Sequence, residues 1–323
     1  MPKESYSQLA RQYGYPFYLY EEERIAEQLS LLRRTFPDFR VLYSIKTNPH
    51  PAVCAFLAEQ GTGADAASSH EVQKALDAGF SPDAIYYSAP GKTPGQLADA
   101  FGKCMMIADS YQELARLDQL AGERAGGAGG TIPVGLRVNP DFSFGPGEFP
   151  DVGPGISSKF GVDEESLLQH MDFFNSLKHI RPAGIHVFLR SQVLSHASIA
   201  ASFEAAFRTA RLCREKLGWD VRFINFGGGI GISSSAEPGL DTDALRSAVA
   251  ALVSHYKERL PSCRLILESG RFLVGKAGTF VSKIEDIKES RGIVYAIMPG
   301  GLSGFLRPSV SSLLQGISAK SWL

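Results

Sequence analysis

Short β-branched or aromatic runs alternate with longer amphipathic stretches from about residue 40 onward. The runs are Val41 to Thr47, Gly63 to Ser68, Ala84 to Ser88, Cys104 to Ala108, Ile132 to Asn139, Pro182 to Leu189, Phe223 to Phe226 and Arg264 to Glu268. Among the stretches between them are Glu71 to Ala78, Tyr111 to Leu120, Glu165 to Leu177, Ser202 to Leu217 and Thr242 to Arg259. Strands joined through helices run parallel, so the pattern predicts an α/β fold. Eight such strands predict a TIM-like (β/α)8 barrel over residues 36–278, although an open doubly wound sheet satisfies the same count.

The two ends break this rhythm. Residues 1–35 read as helix, strand (Pro16 to Tyr20) and helix, and residues 279–300 as two strands, Thr279 to Ile287 and Gly292 to Met298. Segments 1–35 and 279–323 are therefore expected to form a second, smaller and incomplete β-rich domain. The glycine-rich stretch Ala121 to Thr131 reads as a surface loop.

Composition narrows the partners. With 33 Lys+Arg against 34 Asp+Glu the formal net charge is -1. No cationic excess is left to neutralise a nucleic-acid backbone, and none is expected as a partner. No stretch reaches the ~18 consecutive apolar residues of a membrane span, and the first residues lack a secretory signal's apolar core. A cytoplasmic protein with no membrane partner is expected. Cys54, Cys104, Cys213 and Cys263 are widely spaced, which suggests neither a zinc site nor a disulfide framework.

In a parallel barrel, function belongs at the C-terminal ends of the strands. The first strand carries Lys46 beside an apolar run, where desolvation would lower its pKa and make the amine nucleophilic. A snorkelling surface lysine fits the same spacing. On the sixth strand, period two would put His186, Phe188 and Arg190 on one face, with the imidazole free to stack on a planar group. A hydrogen-bonded core histidine is the alternative. The seventh runs into Gly227, Gly228 and Gly229, whose N–H groups could cradle a phosphate, as a plain tight turn would also explain. The eighth ends in Glu268, placed either to hold a protonated ring nitrogen or to pair with a nearby cation. An amine, a stacking ring, a phosphate cradle and a ring-nitrogen partner are together what pyridoxal 5'-phosphate requires.

The motifs run in one order along nearly the whole chain. They are Pro16-Phe-Tyr-Leu-Tyr, Tyr43-Ser-Ile-Lys46-Thr-Asn-Pro, Gly63-Ala-Asp65-Ala-Ala-Ser68-Ser-His-Glu71, Ala89-Pro-Gly-Lys92-Thr and Ser158-Lys159-Phe-Gly161. Gly184-Ile-His186 with Ser191-Gln192, Gly227-Gly-Gly-Ile-Gly-Ile, Glu268-Ser-Gly270-Arg271 and Gly300-Gly301-Leu-Ser-Gly-Phe-Leu-Arg307-Pro follow. In these the chain resembles the alanine-racemase-like, fold type III pyridoxal phosphate enzymes, within them the diaminopimelate/ornithine/arginine decarboxylase family. The resemblance implies Lys46, His186 and Glu268 as catalytic residues. Lys46 would hold the cofactor as a Schiff base, His186 would stack on its ring and Glu268 would keep the ring nitrogen protonated. Asp65, Ser191, Gly227, Gly228, Gly229, Gly270 and Arg271 would complete the cofactor site. Arg271 and Arg307 would take a substrate carboxylate. The implied reaction is decarboxylation of an amino acid, diaminopimelate-, ornithine- or lysine-like or carrier-linked, to an amine by a homodimer.

Three departures qualify this. Phe188 and Arg190 stand where many members have a second histidine and a glycine, as in biosynthetic-cluster decarboxylases that act on unusual or carrier-linked amino acids. Ser269 replaces a usual proline. Members also continue into further β structure carrying a cysteine motif and a late tyrosine, whereas no Cys or Tyr follows Tyr295 here. The chain therefore reads as truncated, without the usual proton donor. Two alternatives follow, a cofactor-binding protein with little turnover and, disfavoured by Glu268, an amino acid racemase.

Overall fold

All eight apolar runs become parallel strands, and these close on themselves. The computed structural model describes residues 3–124, 130–142, 158–188, 190–233, 239–300 and 304. In chain order the elements begin with α1 (Lys3–Tyr13), β1 (Phe17–Tyr20), α2 (Glu22–Thr35), β2 (Phe39–Ser44), α3 (Pro51–Glu59), β3 (Gly63–Ala66), α4 (Ser69–Asp77) and β4 (Ile85–Tyr87). Next come α5 (Pro94–Ala100), β5 (Met105–Ala108), α6 (Tyr111–Arg124), β6 (Ile132–Asn139), β7 (Val162–Asp163), α7 (Glu164–Gln169), α8 (Met171–Ser176), β8 (Ile180–His186) and α9 (His196–Leu217). The series ends with β9 (Phe223–Asn225), α10 (Thr242–Tyr256), β10 (Arg264–Ser269), α11 (Arg271–Val274), β11 (Gly278–Val281), β12 (Asp286–Ser290) and β13 (Ile293–Ile297).

The barrel order is β2-β3-β4-β5-β6-β8-β9-β10, closed because β10 pairs with β2, and β5 with β6. Every pairing in it is parallel, and the open-sheet alternative falls. Leu42, Tyr86, Ile107, Phe223 and Ile266 form a fully buried cluster. Each of the four wholly apolar side chains, Leu42, Ile107, Phe223 and Ile266, contributes about 1.5–3 kcal/mol relative to an exposed one. Room for Phe223 comes from Gly184, where a Cβ would stand 2.5 Å from its ring. Local chemistry sets the ends of the elements. Thr93 and Gln96 form a reciprocal capping box at α5, and Gly218, at φ 68°, closes α9. Asp118 Oδ1 accepts the N–H groups of Lys178, His179 and Ile180 and so anchors the entry to β8.

Several boundaries differ from expectation. The first strand stops at Ser44, and Ile45–Thr47 is a short 3-10 turn that carries Lys46. The expected helix 165–177 breaks at His170, whose φ of -107° and ψ of 23° interrupt the spiral between α7 and α8. β8 ends at His186, so period-two alternation does not extend to Phe188 and Arg190. The stretch read as the strand Thr279 to Ile287 is divided between β11 and β12. α6 runs on to Arg124, into the expected glycine-rich loop.

Contacts divide the chain into a unit of Glu22–Lys276 and a unit of Met1–Glu21 with Ala277–Leu323. The first contains the barrel and also α2, which the sequence grouped with the terminal segment. In the second, β1 pairs antiparallel with β11, and β12 with β13. Among the described residues no helix is long and apolar enough to cross a membrane. All four cysteines are free, Cys54 and Cys213 buried and Cys104 and Cys263 half-buried.

Lys92, from the Ala89-Pro-Gly-Lys92 motif, serves the barrel wall. Its ammonium is buried with the Glu113 carboxylate and donates to the carbonyls of Ala89 and Ile107 at 2.6 and 2.8 Å. Burial lowers the Lys92 pKa and raises that of Glu113, and each charge opposes the other's shift. Lys92→Met leaves the Glu113 carboxylate buried without its cation, with the backbone hydrogen bond at Asp109 left to it, so about 3–5 kcal/mol of stability should be lost. Urea unfolding will show the loss, and Lys92→Met with Glu113→Leu should recover most of it. Equal midpoints for the single and double variants would show that the pair is not the cause.

Candidate active site

The strand register brings three of the expected groups, Asp65, His186 and Glu268, to one end of the barrel, where Lys46 follows directly after β2. Ser44 lies opposite Asp65, His186 opposite Asn225, and Glu268 opposite Leu42. An open cavity of about 310 Å³ lies at this end, with walls that include Ser44, Lys46, Phe188, Ser191, Gly228, Gly229 and Glu268, while Asp65, His186 and Asn225 are buried and do not line it. Gln192, Gly270 and Arg271 also line it.

Lys46 Nζ lies 3.3 Å from Asp65 Oδ2, on a side chain that is 56% exposed beside a carboxylate that is 1% exposed. The expected fall in its pKa does not occur. The Asp65 charge first, then Glu268 and Glu71, outweigh desolvation and raise it. Asp65 is itself pushed up by burial and by Glu268, against the pull of Lys46 and of Ser88, whose hydroxyl donates to Asp65 Oδ1 at 2.8 Å.

Glu268 is buried to 3% exposure, and its Oε1 accepts from Asn225 Nδ2 at 2.8 Å. His186 Nε2 stands 3.3 Å from the same oxygen, close in distance but off the hydrogen-bond angle. Burial opposes ionisation of Glu268, yet His186, Lys46 and the Asn225 amide more than offset it and lower its pKa. The carboxylate is therefore charged at neutral pH.

The glycine turn has the tightness its sequence promised. Gly229, at φ 111°, would place a Cβ 1.9 Å from the Arg190 carbonyl oxygen, and a Cβ on Gly228 would lie 2.9 Å from that of Glu268. Only glycine lets this backbone wall the cavity so closely. Gly227 differs, because its N–H already donates to Asn225 Oδ1 at 2.9 Å. A Cβ on Gly270 would meet Thr47 Oγ1 at 2.0 Å. Arg271 donates to Gln192 Oε1 at 2.9 Å, and Gln192 Nε2 reaches the Ile232 carbonyl at 2.5 Å.

Of the sequence candidates, Lys46, Asp65, His186, Glu268 and Asn225's neighbour Gly227 cluster around this end, and Ser191, Gly228, Gly229, Gly270 and Arg271 line the cavity. Arg190 does not join His186 and Phe188 on one face; it lines a smaller neighbouring recess with Val187 and Phe203. Arg307 lies outside the described residues. Sequence reading missed Asn225 and Ser88, and left Gln192 without a role. For Asn225 the signal was a polar side chain inside an otherwise apolar strand, just before the glycine run.

Among the described residues, both ring nitrogens of His186 and the hydroxyl of Ser269 are buried without a hydrogen-bond partner. Ser269 lines the cavity, and a buried polar atom left open there suits a polar ligand. With a lysine amine, a buried anionic carboxylate and a glycine turn in the same wall, the donor set fits pyridoxal phosphate.

Fold and site together define a barrel enzyme of the pyridoxal phosphate type. The family model "Pyridoxal-dependent decarboxylase, pyridoxal binding domain" matches residues 22–275, and the chain belongs to that family. It is a pyridoxal phosphate-dependent amino acid carboxy-lyase. Diaminopimelate decarboxylase of Aquifex aeolicus is 31% identical over 309 residues, which are 95% of this chain and 71% of that one. An L-glutamyl acyl-carrier protein decarboxylase of Niallia circulans is 34% identical over 299 residues, 91% of this chain and 68% of that one. The structure of diaminopimelate decarboxylase from Helicobacter pylori complexed with L-lysine aligns with a TM-score of 0.80 at 26% identity, covering 94% of this chain and 75% of that one.

Proposed function

We propose that the chain decarboxylates a diaminopimelate-type amino acid with Lys46 as the residue that bonds the cofactor. The observation that carries this reading is the placement of Lys46 and Glu268 in one cavity wall, an amine and a buried carboxylate that its neighbours keep ionised. Bound there, pyridoxal phosphate supplies an electron sink for the pair of electrons left when a carboxylate departs as carbon dioxide.

The chain's own groups have separable tasks. Asp65 holds the Lys46 ammonium at the cavity edge. Glu268 presents negative charge to a ring nitrogen and so keeps a proton on it. His186 would offer its flat face to the ring, and Gly228, Gly229 and Ser191, with Gly270 and Arg271, would hold the phosphate. Arg271 and Arg307 are assigned to a substrate carboxylate, as the resemblance implies, and a homodimer belongs to the same proposal.

A second reading has its own support. Phe188 makes one wall of the cavity apolar where the resemblance expects a histidine, and one relative is named for a carrier-bound glutamyl substrate. That reading assigns an amino acid tethered to a carrier protein. Carbon dioxide release should be assayed with free diaminopimelate, lysine and ornithine, and with glutamate loaded on an acyl-carrier protein. Release from a free diamino acid supports the first reading and release from the carrier-bound one alone the second. Uptake of the cofactor without release from any member of the panel would overturn both.

A further inference from the structure

One buried amide touches both the glycine turn and the carboxylate. Asn225, at the end of β9, is fully buried. Its Nδ2 donates to Glu268 Oε1 at 2.8 Å while its Oδ1 accepts the Gly227 N–H at 2.9 Å. Its backbone carbonyl accepts the Val187 N–H at 2.8 Å, which also fixes the residue following His186. A neutral amide offers a donor and an acceptor from one planar group, and here both are engaged. An ionised carboxylate only accepts, and an alkyl group does neither.

We propose that Asn225 is a positioning residue that couples the glycine turn to Glu268, so that the phosphate end and the ring-nitrogen end of the cofactor site are set as one piece. By engaging Gly227, it leaves Gly228 and Gly229 as the turn's cavity-lining residues. By engaging Oε1, it fixes the rotation of the Glu268 carboxylate. The inference rests on the cofactor roles proposed above for those residues.

The test compares cofactor dissociation constants, by absorbance titration of the full chain, for wild type, Asn225→Ala and Asn225→Asp at pH 6 and pH 9. The introduced carboxyl of Asn225→Asp matches the amide in shape. While protonated, its O–H can donate to Glu268 and its carbonyl can accept from Gly227. Once ionised it loses the donor and repels Glu268. The charged or titratable groups facing it are Glu268 on β10 and His186 on β8, with Lys46 after β2, Asp65 on β3 and Arg137 on β6, in register with His186, farther along the same barrel end. Burial and the adjoining Glu268 carboxylate favour its neutral form, against the weaker pull of the more distant Lys46 and Arg137.

Relative to wild type at the same pH, Asn225→Ala should bind roughly 10- to 100-fold more weakly at both pH values, the scale of a lost hydrogen bond to a charged group. Asn225→Asp should approach wild type at pH 6 and weaken by a similar factor at pH 9. A purely structural role would not produce that pH-dependent rescue. Wild-type affinity in Asn225→Ala overturns the proposal, as does equal weakening of Asn225→Asp at both pH values. Unfolding of both variants without cofactor, seen by circular dichroism, would overturn it in favour of simple barrel packing. Wild-type protein that takes up no cofactor would instead sink the proposed function.

Discussion

Lys46→Ala is expected to lower kcat by about 10³-fold or more and to abolish the absorbance band of amine-bonded cofactor, with little change in fold. The small effect on fold follows from exposure, since the Lys46 side chain is 56% accessible. Its loss does leave Asp65 buried. The Ser88 hydroxyl still donates to Asp65 at 2.8 Å, and the raised pKa of Asp65 lets it take up a proton. The cofactor should still enter, because the glycine turn and Glu268 are untouched. Lys46→Arg separates the two tasks assigned to the lysine. A guanidinium can pair with Asp65 but stays protonated and cannot act as a nucleophile. Loss of the band and of carbon dioxide release in both variants supports the nucleophilic role. Activity retained in Lys46→Arg would show that only the positive charge matters, and the assignment would fall.

The barrel was largely legible because each of its strands is a short apolar run bounded by helix caps and turn residues. All eight became barrel strands, which close between β10 and β2. Local signals were weaker where the tertiary environment decides the outcome. Lys46 read as a strand residue with a lowered pKa, whereas it sits on a 3-10 turn beside Asp65, a residue 19 positions away that reverses the shift. Period two placed Arg190 with His186, but the strand ends at His186 and the chain turns so that the Arg190 carbonyl closes over Gly229. The glycines were visible as a run, yet which of their N–H groups were already committed depended on Asn225. Nothing in the spacing of residues 225 and 268 announces that they meet. That contact follows from β9 and β10 being neighbours in the closed sheet, with Asn225 in register with Ile266 and Glu268 two residues farther on. Elements were thus readable from periodicity, whereas electrostatics depended on pairings distant in sequence.

Glu268→Gln should bind cofactor yet lose roughly 10²- to 10³-fold in kcat, the scale on which one buried electrostatic contact to developing charge acts. The amide keeps the length of the side chain and an oxygen that can accept from Asn225, so the tie to the glycine turn survives. What disappears is the negative charge that we propose keeps the ring nitrogen protonated. In the wild type that charge is secure, because His186, Lys46 and Asn225 lower the Glu268 pKa below its ordinary value of 4.5 despite burial. A carboxylate with a depressed folded-state pKa contributes stability above its unfolded value and loses it as the pH falls through the folded one. At neutral pH that contribution is complete, so the acid limb of the wild-type rate profile should not report Glu268 until well below 4.5. Steady-state kinetics from pH 5 to 9 check this directly. Glu268→Gln should give a depressed profile whose acid limb falls where the wild-type limb does, because another group sets it. A limb that moves or vanishes in Glu268→Gln would mean that Glu268 titrates during turnover, and its place as a permanently ionised partner would have to be given up.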